Sequence, residues 1–289
     1  MYIKKVLFLI FISNFCLLPF HSHAQGGQGM DTVKVLCLYK QASVLDTLNP
    51  QRKASNIMLL QIGGHCSKYY SFYQYLADSI GYVMAQKSYE MGQMISGQEA
   101  YDELQKIPLK KMPRELNYMV FKNYPSKGQL TLLDRFGFDN FKYEEPLPDM
   151  QWQLSNDTLT VCGYLCKKAT TAFRGRDYTV WYTREIPVSD GPWKFNGLPG
   201  LILKAIDEQK HFSFECTAIE TPKEVKQIYY LDGNSNRKIS RAEYNKAKQR
   251  FMDNPGAYMG GNPVMTETSP LPASAYQKLP YNPMERTDE

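Results

Sequence analysis

The chain has 289 residues, 43% of them hydrophobic and 22% charged, with 34 Lys and Arg against 29 Asp and Glu. These fractions exclude wholesale disorder and a polytopic membrane protein, and a scattered surplus of +5 excludes a nucleic-acid binder built on a basic face. The 21 Tyr and 14 Phe favour half-buried pleated surface over helical bundles.

The first element in chain order reads as an export signal. Lys4 and Lys5 precede an apolar run over 6–20, broken by Ser13, Asn14 and Pro19, and Ser22-His23-Ala24 supplies small residues for cleavage after Ala24. The run falls short of the roughly 20 apolar residues that a spanning helix needs. Cys16 follows Phe15 inside it, which argues against a lipid-modified cysteine. A periplasmic or secreted protein with no integral membrane span after cleavage is expected. Five cysteines then remain (Cys37, Cys66, Cys162, Cys166, Cys216), with His65 and His211. An odd count leaves one thiol free or bonded between molecules. Spacing assigns no pairing, although Cys162 and Cys166 in one strand would stand about 13 Å apart, too far to bridge.

Residues 25–29 form a flexible Gly/Gln-rich stub. Strands are expected over 33–39 and 56–64, an ambiguous aromatic stretch over 67–80, and a helix or long excursion over 78–104. Residues 118–124 and 129–136 pair around the turn signal Pro125-Ser126-Lys127-Gly128, and 141–154 continues extended. The clearest strands are 158–162, 168–173 and 178–183, the last two joined by the loop Arg174-Gly175-Arg176-Asp177, followed by a hairpin of 201–206 and 211–219. Residues 240–253 read as a helix with a Ser240–Glu243 capping box, stopped by Pro255-Gly256. Prolines at 263, 270, 272, 280 and 283 predict a loosely attached tail. The organisation is a signal over 1–24, one β-rich domain over 25–259 and a tail over 260–289. The fold class is α+β with a predominantly antiparallel sheet, a curved half-barrel by analogy with lipoprotein carriers, and a C-terminal helix.

Chemistry is sparse. His and Cys do not cluster at metal-ligand spacing, so no metal is expected there, and no cofactor motif is present. Asp232, Asn234, Asn236, Ser240 and Glu243 fall in a calcium-loop register, but Arg237 occupies the position that needs glycine, so a polar turn leading into the capping box accounts for them better. A catalytic triad would need His65 or His211, and no nucleophile motif accompanies either. The carboxylate pairs Glu144-Glu145 and Asp207-Glu208 read as solvated loop charges. No catalytic residue is assigned.

One stretch is distinctive: Gly191-Pro192-Trp193-Lys194-Phe195-Asn196-Gly197-Leu198-Pro199-Gly200-Leu201-Ile202. With Gly175, Arg176, Trp181 and Tyr182 upstream, and Tyr281-Asn282-Pro283-Met284-Glu285 near the end, it resembles the GLPGLI family of exported Bacteroidetes proteins. That resemblance implies an exported cell-envelope protein and carries no biochemical activity. Physically the motif reads as architecture: Pro199-Gly200 as a type II turn, Leu198 as a core anchor, and Trp193 and Phe195 as sheet cover or ligand lining. The expected function is non-enzymatic binding of an apolar ligand, a lipid or lipidated protein. The alternatives are docking to an outer-membrane transporter through an edge strand or the tail, and an envelope hydrolase.

Overall fold

The computed structural model describes residues 29–76, 118–230, 236–260 and 271–287. The export signal, residues 25–28 of the stub, the expected excursion over 78–104, Asp232 and Asn234, and residues 261–270 of the tail lie outside these.

The described residues form β1 (Gly29–Thr32), β2 (Val35–Val44), β3 (Lys53–Ile62), β4 (Ser67–Ser71), β5 (Met119–Lys122), β6 (Gln129–Phe136) and β7 (Asp139–Pro146). Then come β8 (Gln153–Val161), β9 (Tyr164–Phe173), β10 (Arg176–Thr183), β11 (Leu201–Asp207), β12 (Phe212–Glu220), β13 (Gln227–Tyr229) and β14 (Asn236–Lys238). Helices α1 (Arg241–Asp253) and α2 (Pro255–Gly260) follow, with a 3₁₀ turn at Ala273–Tyr276. β1 pairs with β13. The other twelve strands make one sheet in the order β14-β7-β6-β5-β4-β3-β2-β12-β11-β10-β9-β8, antiparallel throughout except for the β14–β7 pair. The protein is α+β, dominated by this antiparallel sheet.

Chain length dictates that the sheet curls. β7 and β8 stand ten strand spacings apart, about 48 Å if the sheet were flat. Residues 147–152 alone connect them, and the steps from Pro146 to Gln153 reach at most about 25 Å. The sheet must therefore bend until its two ends approach each other. Among the described residues it stays open, because β8 and β14 each have a ladder partner on one side only.

The bend needs a filling on its inner side, and the distinctive stretch supplies it. Trp193 packs edge-on to Phe173 of β9 at 5.7 Å and parallel to Phe214 of β12 at 6.4 Å. Phe195 meets Tyr178 of β10 at 4.9 Å. Both rings, with Leu198, belong to a core cluster that runs from Cys37 and Tyr39 of β2 through Leu132 of β6 and Tyr143 of β7 to Leu203 and Phe214.

Several local expectations change. The loop predicted over Arg174–Asp177 is a two-residue turn, Arg174-Gly175, with φ of 49° and 76°; Arg176 and Asp177 already belong to β10. Consecutive left-handed residues match the twist of a hairpin, so the tighter turn wins. Cys162 and Gly163 form the equivalent turn between β8 and β9, which places Cys162 outside the strand that holds Cys166. The capping box is present: Ser240 Oγ accepts from Glu243 N, and Glu243 Oε2 accepts from Ser240 N. α1 stops just before Pro255, as expected. The break falls at Asn254, whose side chain accepts from Ala257 N, and Pro255 opens α2, where a first-turn proline has no amide to lose.

Candidate functional site

Lys194 is the centre of a buried ion cluster. Its left-handed neighbour Trp193 (φ 52°) turns the loop so that both side chains enter the core. The Lys194 ammonium is 0% exposed; it donates to Glu145 Oε1 at 2.7 Å and Tyr143 Oη at 2.9 Å, and pairs with Glu285. Arg174 approaches the same carboxylates, with Nη2 2.8 Å from Glu145 Oε2 and Nη1 paired with Glu285. Arg241, the first residue of α1, reaches Glu145 Oε2 at 3.2 Å and Glu285 Oε2 at 3.1 Å. Three cations and two carboxylates thus join β7, the β9–β10 turn, the central loop, α1 and the C-terminal segment.

A second pair lies alongside. Arg176 Nη1 bonds Asp207 Oδ2 at 2.9 Å, and its Nη2 donates to Asn282 Oδ1 and the Pro283 carbonyl, each at 2.6 Å. Its guanidinium stands 4.5 Å from the Phe212 ring centre. Asn282 in turn donates to the Val44 carbonyl at 2.8 Å. On the other side of the loop, Lys122 pairs with Asp190 and donates to the carbonyls of Gly191 (2.5 Å) and Phe195 (3.2 Å). Burial pulls the Lys122 ammonium below its ordinary value in spite of Asp190.

These contacts correct two expectations. Glu145 and Asp207 are not solvated loop charges, because the curl turns them inward against Arg174, Lys194 and Arg176. Residues 282–287 are not loose either: Asn282 and Glu285 are held by buried cations, and the backbone amide of Arg286 donates to the Arg174 carbonyl at 2.9 Å. The tail passes directly over Gly175, where a Cβ would come within 2.9 Å of Arg286 Cβ. Burial pushes the Glu285 carboxyl up, but Lys194 and Arg174 outweigh it and hold the group below its ordinary value. A depressed carboxylate stabilises fully above its unfolded value, here about 4.5, and its contribution is lost as pH falls through the folded value. The urea midpoint of the parent is therefore expected to exceed that of Glu285→Gln near neutrality, with the gap closing as pH drops below about 4.5. A gap independent of pH would contradict this linkage.

The remaining motif residues are structural in their surroundings. Gly191 lies against Ile202, where a Cβ would approach Ile202 Cβ to 2.9 Å. Pro192 starts the turn that Phe195 N closes at 3.1 Å, and Gly197 N donates to Ser189 Oγ at 3.1 Å. Leu201 and Ile202 begin β11, and Tyr39 Oη donates to the Ile202 carbonyl at 2.8 Å. Tyr182 is buried on β10, while the half-buried Trp181 carries Lys204 Nζ 5.9 Å from its ring centre. Pro199-Gly200 is not a type II turn. Gly200 has φ 158° rather than about 80°, and its glycine is required by the Thr183 backbone pressed against it.

The two histidines and the polar stretch before α1 lie elsewhere. His65 lies in the turn beyond Ile62, which pairs with Val35 at one end of β2; His211 bonds Val44 at the other end. Ten residues of strand separate them by roughly 30 Å, so the two histidines do not share one site. Asn236 and Arg237 belong to β14, and Ser240 and Glu243 satisfy each other in the helix cap. The charges converging on Lys194 had no local sequence signal, since their partners lie 49 and 91 residues away in the chain.

The open edge is the other feature with chemical potential. Among the described residues β8 bonds only β9, with an irregularity between Leu154 and Thr158. Leu154 and Leu159 stand opposite the buried Ala169 and Cys166, yet they are 59% and 37% exposed. Asp157 pairs with Lys168 at the irregularity, leaving Thr158–Val161 as regular strand with one unpaired edge.

Comparison with known proteins gives one family. The model described as N-glycanase peptide, N-terminal domain matches residues 83–246, more than half of the chain. It differs from the family that the central motif resembles. No curated protein matches the chain. Two solved structures, "Structure of PNGF-II in P21 space group" and "Structure of PNGF-II in C2 space group", are similar to it at 15% identity, with TM-scores of 0.44 and 0.45. Each comparison covers 74% of this chain and 32% of that one, so the match spans about a third of the length of those proteins.

Proposed function

The chain belongs to the N-glycanase peptide, N-terminal domain family, and from that premise we propose that it is a non-enzymatic binding module of the cell envelope that engages partners by strand addition at β8. The observation that carries this reading is the exposure of Leu154 and Leu159 on a strand that, among the described residues, has one unpaired edge. A strand added to β8 would satisfy its free backbone groups and cover both leucines at once. The irregularity and Asp157 restrict such pairing to Thr158–Val161, as natural edges guard against indiscriminate association. A family description that specifies an N-terminal domain fits an accessory part better than a catalytic one.

The partner we infer is an extended segment of an envelope protein, with an outer-membrane transporter as the leading case. The compartment rests on Lys4, Lys5 and Ser22-His23-Ala24; among the described residues no helix is long and apolar enough to cross a membrane. Binding of a lipid or acyl chain by Trp193, Phe195 and Leu198 draws less support, since all three are buried against one another and the surrounding strands. Resemblance to the GLPGLI family remains part of the proposal, through motif residues that build the core rather than the edge.

The test is copurification of the transporter with the exported protein. Leu154→Lys with Leu159→Lys is expected to weaken capture about tenfold or more while leaving thermal unfolding unchanged. Undiminished capture by that variant would remove β8 from consideration.

A further inference from the structure

Residues 282–286 are recognised one by one, by partners far away in the chain. Asn282 is buried and bonded both ways, accepting from Arg176 and donating to the Val44 carbonyl. The Pro283 carbonyl accepts from Nε and Nη2 of Arg176, at 3.2 Å and 2.6 Å. Met284 turns its sulfur to the buried side-chain amide of Gln41, 4.0 Å from Nε2, and packs on the main core cluster. Glu285 meets Lys194, Arg174 and Arg241, and Arg286 N donates to the Arg174 carbonyl at 2.9 Å. These partners belong to β2, the β9–β10 turn, β10, the central loop and α1, which together form a seat. The chain reaches it from an exposed stretch over 276–280, tied down by Leu279 N to the Met252 carbonyl at 2.7 Å and by an ion pair of Lys278 with Asp253. Both of those charges are well exposed, so the pair adds little.

Hydrogen bonds and ion pairs of this kind select a sequence, whereas apolar burial selects bulk and shape. A seat that reads Asn, Pro, Met and Glu in turn accepts them from any chain that carries them in that order, and a second copy does. We propose that this seat is an interaction site for residues 282–286 of a second copy, which replace the chain's own segment in a reciprocal exchange. The exchange costs little, because every bond broken within one copy is remade between two. A tethered segment meets its own seat at an effective concentration on the order of millimolar, so the contact within one chain prevails in dilute solution and exchange sets in near that higher concentration. Weakening the segment while leaving the seat intact opens the seat to the same residues supplied from outside.

The experiment uses the full chain and two readouts: fluorescence anisotropy of a labelled peptide of residues 281–286, and sedimentation of the protein up to about 1 mM. The folded variant Asn282→Ala with Glu285→Gln is expected to bind the peptide about tenfold or more tightly than the parent, whose seat is filled. Peptide carrying Glu285→Gln binds the same variant about tenfold more weakly, since its charge-assisted contacts are lost. The parent forms dimers near millimolar concentration, excess peptide disperses them, and the variant stays monomeric. Asn282→Ala alone stands in if the double variant fails to fold, with a smaller difference in the same direction. Leu159→Lys leaves the dimer intact, which separates this contact from strand addition at β8. A folded variant that ignores the peptide, a parent that binds it equally well, or a parent that stays monomeric at that concentration would overturn the proposal, as would a dimer that Leu159→Lys abolishes.

Discussion

Glu145→Gln is expected to destabilise the fold by about 3–5 kcal/mol, the cost of removing one partner from a buried ion group. The carboxylate is 10% exposed and pairs with Lys194, Arg174 and Arg241 at once. Glutamine keeps the shape and removes the charge, leaving three cations around Glu285 alone. Urea denaturation of the parent and the variant, with unchanged slope, measures the difference. Adding Lys194→Met removes one of the stranded cations, so the double variant should lose less than the sum of the two singles. A Glu145→Gln loss below about 1 kcal/mol would mean that solvent screens the cluster as it does a surface pair.

Gly200→Ala carries a comparable effect for a different reason. A Cβ built there would lie 2.1 Å from the Thr183 carbonyl oxygen and 2.7 Å from its carbon. Both obstacles are backbone, so no side-chain rotation relieves the clash, and the entry of the central loop into β11 must shift. Overpacking a core costs about 1–3 kcal/mol when side chains can yield, and we expect the upper end or more here. A melting temperature within a degree or two of the parent would show that Gly200 is not held against Thr183 as described.

Much of the sheet was legible because its strands carry local signals. The 129–136 expectation coincides with β6, and the Ser240–Glu243 cap lies where the four-residue spacing places it. Gly175 also marks a hairpin, although its turn is tighter than the flanking polar residues imply. β1 and β14 were missed, being only three or four residues long and paired with distant partners. The ion cluster was illegible for a related reason. Glu145 follows another glutamate and precedes a proline, a context that reads as loop, and only the curl of a twelve-stranded sheet brings it to Lys194 and Glu285. Lys194 was visible as part of a motif, but its burial depends on Trp193 adopting a left-handed φ that aromatic residues rarely take. The exposed edge could not be foreseen at all, since which strand ends a sheet is a property of the whole topology.

The motif residues hold the curled sheet together in a closed interior, and the proposed binding lies at the open edge of the described sheet. Site-specific photocrosslinking in the native envelope tests that separation most directly. A photoreactive residue replacing the exposed Thr158 of β8 is compared with one replacing Glu215, which lies on β12 in the middle of the sheet. Strand addition predicts a discrete adduct from position 158, abolished by Leu159→Lys, and none from position 215. An adduct from position 215 with none from 158 would contradict the account and move binding to the face of the sheet.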